Sequence, residues 1–315
     1  MKGTLRFLLG HLGRLAAVLA AALVLGFLAI QAVPGDPVIM MLSDQAGDPV
    51  LEAQLRAAYG LDQPLWVQFT GYIKGILTGT FGMSYRFPGV TVAEVIAPAL
   101  AVTPMLALPA AILAFPAGTL LGAFVAARHN TWVDSAIIIV LVAGISIPNF
   151  AMAAFLVALF AVGLGWLPVA GWGEVKHMVL PIVILSIPVT AYVARLTRTY
   201  MLEVLQQDYI RTARAKGLPD YRVIYHHALR NVLVPLLTTV GVILGSLLSG
   251  TFIIETVFNI PGLGRLAIDS IFARDYPVAM AIVLLFTAFY AGANLLVDLL
   301  YGLLDPRIRI AGREA

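Results

Sequence analysis

The sequence predicts an all-α membrane protein with six transmembrane helices and both termini in the cytoplasm. Three observations predict it. Of 315 residues, 60% are apolar and only 12% charged, more apolar surface than a soluble chain of this length hides in its own interior. Six stretches reach the roughly 20 residues needed to cross a hydrocarbon layer about 30 Å thick. Each stretch is continuously apolar, whereas membrane-spanning strands alternate apolar and polar over about ten residues. Lipid is therefore the solvent of most of the chain. That excludes a soluble enzyme, a nucleic-acid binder and a disordered scaffold. A net charge of +3 is too small to call for a polyanion, and with no cysteine there is no disulfide framework, thiol chemistry or Cys-ligated metal.

The first span covers residues 15–33. Lys2, Arg6 and Arg14 precede it, as in a secretory signal, but the run is longer than the roughly 7–15 residues of a signal's apolar region. Its exit reads Ile30-Gln31-Ala32-Val33-Pro34, with no small-x-small pair, so it is read as a retained helix. The remaining spans cover residues 100–127, 135–164, 178–194, 232–254 and 278–304. Basic residues orient them. With the N-terminus inside, fourteen of the 20 lie in inner segments: Lys2, Arg6, Arg14, Arg128, Arg195, Arg198, Arg211, Arg214, Lys216, Arg222, Arg230, Arg307, Arg309 and Arg313. Arg56, Lys74, Arg86, Lys176, Arg265 and Arg274 fall outside.

Two loops are too long to be simple connections. The outer one, residues 34–98, sets Asp36, Asp44, Asp48, Glu52, Asp62 and Glu94 against three basic residues. Asp48-Pro49 reads as an N-cap followed by proline at the first helical position, and Gly60 as the stop. Residues 64–77 carry Trp66, Phe69 and Tyr72, which suits a helix at headgroup level. This loop is either an ordinary folded cap or a surface that receives something delivered from outside.

The inner loop, residues 195–230, carries seven of the fourteen inner basic residues. Helix formers dominate residues 203–216. Gly217 supplies a left-handed end, Pro219 blocks continuation, and Asp220 caps a new helix running toward Pro235. Thr212, Ala213 and Ala215 form a patch of small residues flanked by Arg211 and Arg214, open to close approach by another surface. The plainer alternative is a cytoplasmic loop that is basic only because of its side of the membrane.

Several chemistries are missing. Walker A needs a Gly-Lys pair, and the four lysines follow Met1, Ile73, Val175 and Ala215. The histidines are His11, His129, His177, His226 and His227. They form no His-Glu-x-x-His, and His226 and His227 are expected on different helix faces, so no metal site is read. No Gly-x-Ser-x-Gly elbow occurs. Within spans the ionisable residues are Asp298, near an inner end, and Glu255, at an outer end, which is few for a proton-driven carrier. Thr103, Pro104, Pro116, Ser146, Pro148, Asn149, Ser186, Pro188, Ser246 and Ser249 fit either kinked helices around a wet cavity or ordinary helix packing.

Asp208-Tyr209-Ile210-Arg211-Thr212-Ala213-Arg214-Ala215-Lys216-Gly217, with Pro235 downstream, resembles the cytoplasmic coupling motif of bacterial ATP-binding-cassette importer permeases. The general motif begins Glu-Ala-Ala. Arg211-Thr212 departs from it in the manner of the dipeptide/oligopeptide/nickel branch. Val33-Pro34-Gly35-Asp36-Pro37, Tyr59-Gly60-Leu61-Asp62-Gln63-Pro64-Leu65, Gly79-Thr80-Phe81-Gly82-Met83-Ser84-Tyr85 and the run from Glu255 to Leu266 agree with that branch, and most closely with its first permease subunit.

The resemblance implies a type I importer permease with a large periplasmic loop after its first helix, in the bacterial inner membrane. The implied division is residues 1–33 as N-tail and first helix, 34–98 as periplasmic region, 99–308 as a five-helix core holding the coupling loop 195–230, and 309–315 as cytoplasmic tail. It implies ATPase coupling through Asp208, Tyr209, Arg211, Thr212, Ala213, Arg214, Lys216 and Gly217. Glu255 and Asp269 become candidates for an outer gate or a binding-protein contact, with a helix-end salt bridge as the plainer role. The implied partners are a second homologous permease, two cytosolic ATPases, a periplasmic substrate-binding protein and membrane lipid, with no nucleic acid. The chain is then no enzyme and holds no cofactor or metal of its own, ATP and Mg being bound by the ATPases. Short peptides are the implied cargo. Nickel, glutathione or another small solute is the alternative, and a stand-alone proton-linked carrier a remote one.

Overall fold

A computed structural model describes residues 2–33, 35–42 and 48–304. Expectations placed on Pro34, Asp44, Arg307, Arg309, Arg313 and the tail 309–315, and on the side chains of Ser249 and Asp298, lie outside the described residues. The described residues are helices and turns, with one isolated antiparallel bridge between Met83 and Thr91.

Helix α1 (Lys2–Ala32) contains the span Gly10–Ala32. Four helices follow before the next long apolar stretch: α2 (Pro37–Leu42), α3 (Pro49–Tyr59), α4 (Leu65–Leu77) and α5 (Val92–Leu100). Helix α3 begins and ends as its sequence requires. The Asp48 carboxylate accepts from the N–H groups of Val50 and Leu51 at 2.9 and 3.3 Å. Gly60 sits at φ +66, and the Leu61 N–H closes onto the Arg56 carbonyl at 2.8 Å. Thr91 and Glu94 form a reciprocal capping box on α5. Helix α5 runs on into α6 (Val102–Ala127), so the second apolar stretch starts at Val92 and is longer than expected.

The third expected span is not one straight helix. Helices α7 (Trp132–Ser146) and α8 (Asn149–Leu156) meet at a bend of 104°. Pro148 has no N–H to give the preceding turn, and it forces Ile147 out of the helical region to ψ 120°. Helix α8 passes into a π-helical stretch, Val157–Gly163. Helix α9 (Val175–Leu205) has 31 residues, far beyond the expected 178–194. At 1.5 Å per residue it is about 46 Å long and outreaches a hydrocarbon core.

Residues 195–230 correct two expectations. A single helix over 203–216 is broken at Gln206-Gln207, after which α10 (Asp208–Ala215) starts anew. Pro219, not Asp220, precedes the next helix, which passes through α11 (Asp220–Arg222), a π-helical stretch Val223–Ala228 and α12 (Leu229–Leu237). The fifth expected span, 232–254, is likewise divided. Thr238 and Thr239 separate α12 from α13 (Val240–Val257), and both hydroxyls donate at 2.7 Å to carbonyls three residues back. Helices α14 (Leu263–Phe272) and α15 (Tyr276–Leu304) complete the described chain. Among the described residues, five helices are long and apolar enough to cross a membrane, or six if the bent α7–α8 pair counts as one span.

The chain divides into two compact units. The first is built on Pro104–Ile260 and the second on Leu5–Thr103 with Pro261–Ala291. In the first, α9 is central. Gly118 and Gly122 of α6 lie against its backbone, Gly144 of α7 lies near Ile187 and Ala191, and Leu141, Ala191 and Ala194 form an apolar seam. In the second, Gly75 of α4 packs on the Phe81-Gly82 backbone, and Phe27 meets Phe69 edge-on at 5.1 Å. Arg56 is held by both Glu52 and Asp36. The buried Asp275 carboxylate binds the Ser84 hydroxyl and the N–H groups of Tyr85 and Arg86. A cavity of about 620 Å³ lies among Phe27, Tyr59, Tyr72, Tyr85 and Tyr276, beside the Arg56–Asp36 pair.

Candidate functional site

Helix α10 is amphipathic with a short apolar stripe. Ile210 and Ala213, three residues apart, face one way. Both are buried in a cluster with Met201 of α9, Ala123 and Ala126 of α6, and Val223, Val232 and Leu236 from the segment that follows. Ala213, 8% exposed, is thus turned into the chain's own core, and Thr212 and Ala215 are the small residues left open. On the open face stand Asp208, Tyr209, Arg211, Thr212, Arg214 and Lys216. Cations outnumber carboxylates there. Asp208 lies in the first turn, where the helix dipole favours a negative charge, and pairs with Arg211 at 3.5 Å. Arg214 reaches Asp220 at 3.9 Å.

Both ends of α10 are fixed. The Asn231 side-chain amide donates to the Tyr209 hydroxyl and to the His227 carbonyl, each at 2.9 Å, tying the start of α10 to α12. At the other end the Gly217 N–H reaches the Arg214 carbonyl at 2.9 Å and the Leu218 N–H reaches the Ala213 carbonyl at 3.4 Å. This is the Schellman pattern, and it requires the left-handed φ of +76° that Gly217 adopts. The result is an exposed, mostly cationic face on a base of buried apolar side chains.

The other candidates have separate settings. Glu255, on α13 in the first unit, is fully buried, and its backbone carbonyl accepts from Ile260 at 2.8 Å. Asp269, on α14 in the second unit, is half exposed and pairs with Arg265 at 3.6 Å. One histidine expectation is corrected. His226 and His227 do not diverge: their rings meet edge-to-face at 5.3 Å, because the wider π-helical turn brings successive side chains closer in angle.

Sequence reasoning missed a second cluster. Asp134, at the start of α7, is held by Arg198 of α9 and approached by His129. Arg198 counted only as an inner positive charge. The available signal was Asp134 itself, a carboxylate at the edge of an apolar stretch, next to Arg128 and His129.

Comparison with known proteins places the chain in a family. Residues 118–310 match the family described as "Binding-protein-dependent transport system inner membrane component", and residues 4–93 match its N-terminal counterpart. The chain is 40% identical over 305 residues to the dipeptide transport system permease protein DppB of Bacillus subtilis, covering 97% of this chain and 98% of that one. It is 42% identical over 307 residues to the glutathione transport system permease protein GsiC of Salmonella typhimurium, covering 97% and 99%. The chain therefore belongs to the family of binding-protein-dependent transport system inner membrane components, the multi-pass permease subunits of ATP-binding-cassette importers.

Proposed function

We propose that this chain forms half of a translocation pathway for short peptides, crossing the membrane six times with both termini in the cytoplasm and residues 34–98 outside. A second homologous permease supplies the other half. Two cytosolic ATPases bind ATP and Mg and drive the cycle, since the chain has no Gly-Lys pair of its own. A periplasmic binding protein delivers the cargo to the outer face, where Asp269 is available for contact and buried Glu255 belongs to a gate. The proposed division of the chain is residues 1–33, 34–98, 99–308 and 309–315.

The observation that carries the coupling role is the form of α10: an exposed polar face of Asp208, Tyr209, Arg211, Thr212, Arg214 and Lys216, seated by Ala213 and ended by Gly217. A helix seated in this way transmits a push instead of absorbing it. The peptide cargo is supported by the relatives' names. Dipeptides and glutathione, itself a tripeptide, share a short amide-linked backbone.

Reconstitution tests the reading. Proteoliposomes with both permeases, the ATPases and the binding protein are expected to take up a labelled di- or tripeptide only with ATP. Proteoliposomes with this chain alone are expected to take up none. Unaided uptake by the single chain would overturn the reading, and ATP-driven uptake of nickel but not peptide would overturn the cargo.

A further inference from the structure

Asp134 is a carboxylate that this chain buries and surrounds with donors. It is 4% exposed and lies in the first turn of α7. Arg198 of α9 meets it with two parallel bonds, Nε to Oδ1 and Nη2 to Oδ2, each 2.8 Å. The Asn130 N–H donates to Oδ2 at 3.1 Å. His129 Nδ1 stands 3.3 Å from Oδ2 and 3.2 Å from Arg198 Nη2. A forked guanidinium–carboxylate pair fixes angle as well as distance. The turn after α6, the start of α7 and the inner part of α9 are thus pinned at one point.

The location of the pin gives it consequence. Arg198 stands seven residues before Leu205, the last residue of α9, or about 10 Å along an unbroken helix. Beyond the break at Gln206-Gln207, α10 returns to pack Ile210 and Ala213 against Met201, inside that same stretch of α9. A displacement of α10 therefore reaches Arg198 through packed side chains and continuous helix. On the other side of the pin, α7 runs about 18 Å to the bend at Ile147-Pro148, where it turns 104° into α8. Between these points α7 lies on α9 through the apolar seam of Leu141, Ala191 and Ala194. An apolar seam tolerates sliding. A forked ion pair with a buried carboxylate does not, because sliding would leave the Asp134 charge buried without its partner.

We infer that the Asp134–Arg198 pair is the joint through which movement of α10 is passed along α7 to the α7–α8 elbow. Both are positioning residues: they touch neither cargo nor nucleotide. The inference rests on the coupling reading of α10 given above and extends it to a specific internal linkage.

The natural absence of cysteine makes the test direct. Spin labels at Gln206→Cys and Phe155→Cys, both exposed positions, report the distance between the coupling end and the elbow helix. The doubly labelled chain is studied in the complete reconstituted complex, after ATP-driven uptake has been verified. With the joint intact, the distance is expected to stay the same between nucleotide-free and ATP-trapped states. With Asp134→Asn it is expected to change on trapping, and ATP hydrolysed per solute imported is expected to rise about fivefold or more, the lower end of ordinary coupling between sites. A merely structural role would reduce the amount of assembled complex and leave that ratio alone. If Asp134→Asn does not assemble, Arg198→Lys, which keeps the charge and loses the fork, carries the same expectations. An unchanged distance and ratio in an assembled variant would overturn the joint, as would a distance that already changes with the pair intact. Failure of the coupling reading looks different: the unsubstituted complex then shows no ATP-driven uptake, and the joint falls with it.

Discussion

Gly118 and Gly122 stand one turn apart on α6, and both meet the backbone of α9. A Cβ on Gly118 would lie 2.7 Å from the Thr190 carbonyl oxygen, and one on Gly122 would run into the Ala194 carbonyl and lie 2.6 Å from Thr197 Cβ. Backbone cannot retreat as a flexible side chain can, so the helices must part. Gly122→Ala is expected to lower stability by about 1–3 kcal/mol, whereas Gly292→Ala, with open space around it, should be neutral or slightly stabilising. Thermal unfolding in detergent distinguishes them. At Gly217 there is room for a side chain but φ is +76°. Gly217→Val should therefore strain the end of α10 by about 1–3 kcal/mol and abolish ATP-driven uptake while membrane insertion persists, as measured in proteoliposomes and by membrane fractionation. Tyr85 offers a pH signature. Burial, with smaller contributions from the Asp275 charge and Tyr59, pushes its hydroxyl from 10.0 up to about 12. The folded state thus holds this proton more tightly. The contribution is intact below pH 10.0 and is lost as pH rises from there toward about 12. Alkaline unfolding followed by tryptophan fluorescence should show this loss, and Tyr85→Phe should remove it.

Single elements show which local signals suffice. Asp48 and Gly60 delimit α3 in sequence and in structure, because a cap and a left-handed stop act within a few residues. Asp48→Ala should cost about 1 kcal/mol, seen as faster amide exchange in α3 with α10 unaffected. Gly217 was legible for the same reason. The break at Gln206-Gln207 was not, since glutamine is a good helix former. It exists because α10 must turn back to bury Ile210 and Ala213 on α9 and α12, a requirement set by segments far along the chain. Pro148 announced a kink, but its 104° depth depends on what α8 packs against, including Gly250 of α13, which lies near Asn149 of α8 and Leu185 of α9. Asp275 had no local signature either. Its carboxylate holds a turn almost two hundred residues away in sequence, at Ser84 and Tyr85. Asp275→Ala leaves those buried donors unmet and should cost about 2–3 kcal/mol, detected as protease nicking of residues 84–90.

For the molecule as a whole, the lack of native cysteine allows its orientation to be read by labelling. A cysteine at Asp62 should react with an impermeant maleimide from outside intact cells, and one at Lys216 only after permeabilisation. The reverse pattern would invert the proposed topology. The sequence by itself determined that the chain lives in lipid, where its apolar runs lie, and to which family its contiguous motifs belong. Those properties are sums over neighbouring residues, and hydropathy, caps and short motifs act at that range. Only the tertiary structure decided that Ala213 faces inward while Arg211 and Arg214 remain outside, and that Arg198 is the partner of Asp134. A charge or a small residue carries no mark of its partner. Which face is buried and which ion pair forms is settled when helices distant in sequence compete to cover one another, and that competition ends in the packed fold.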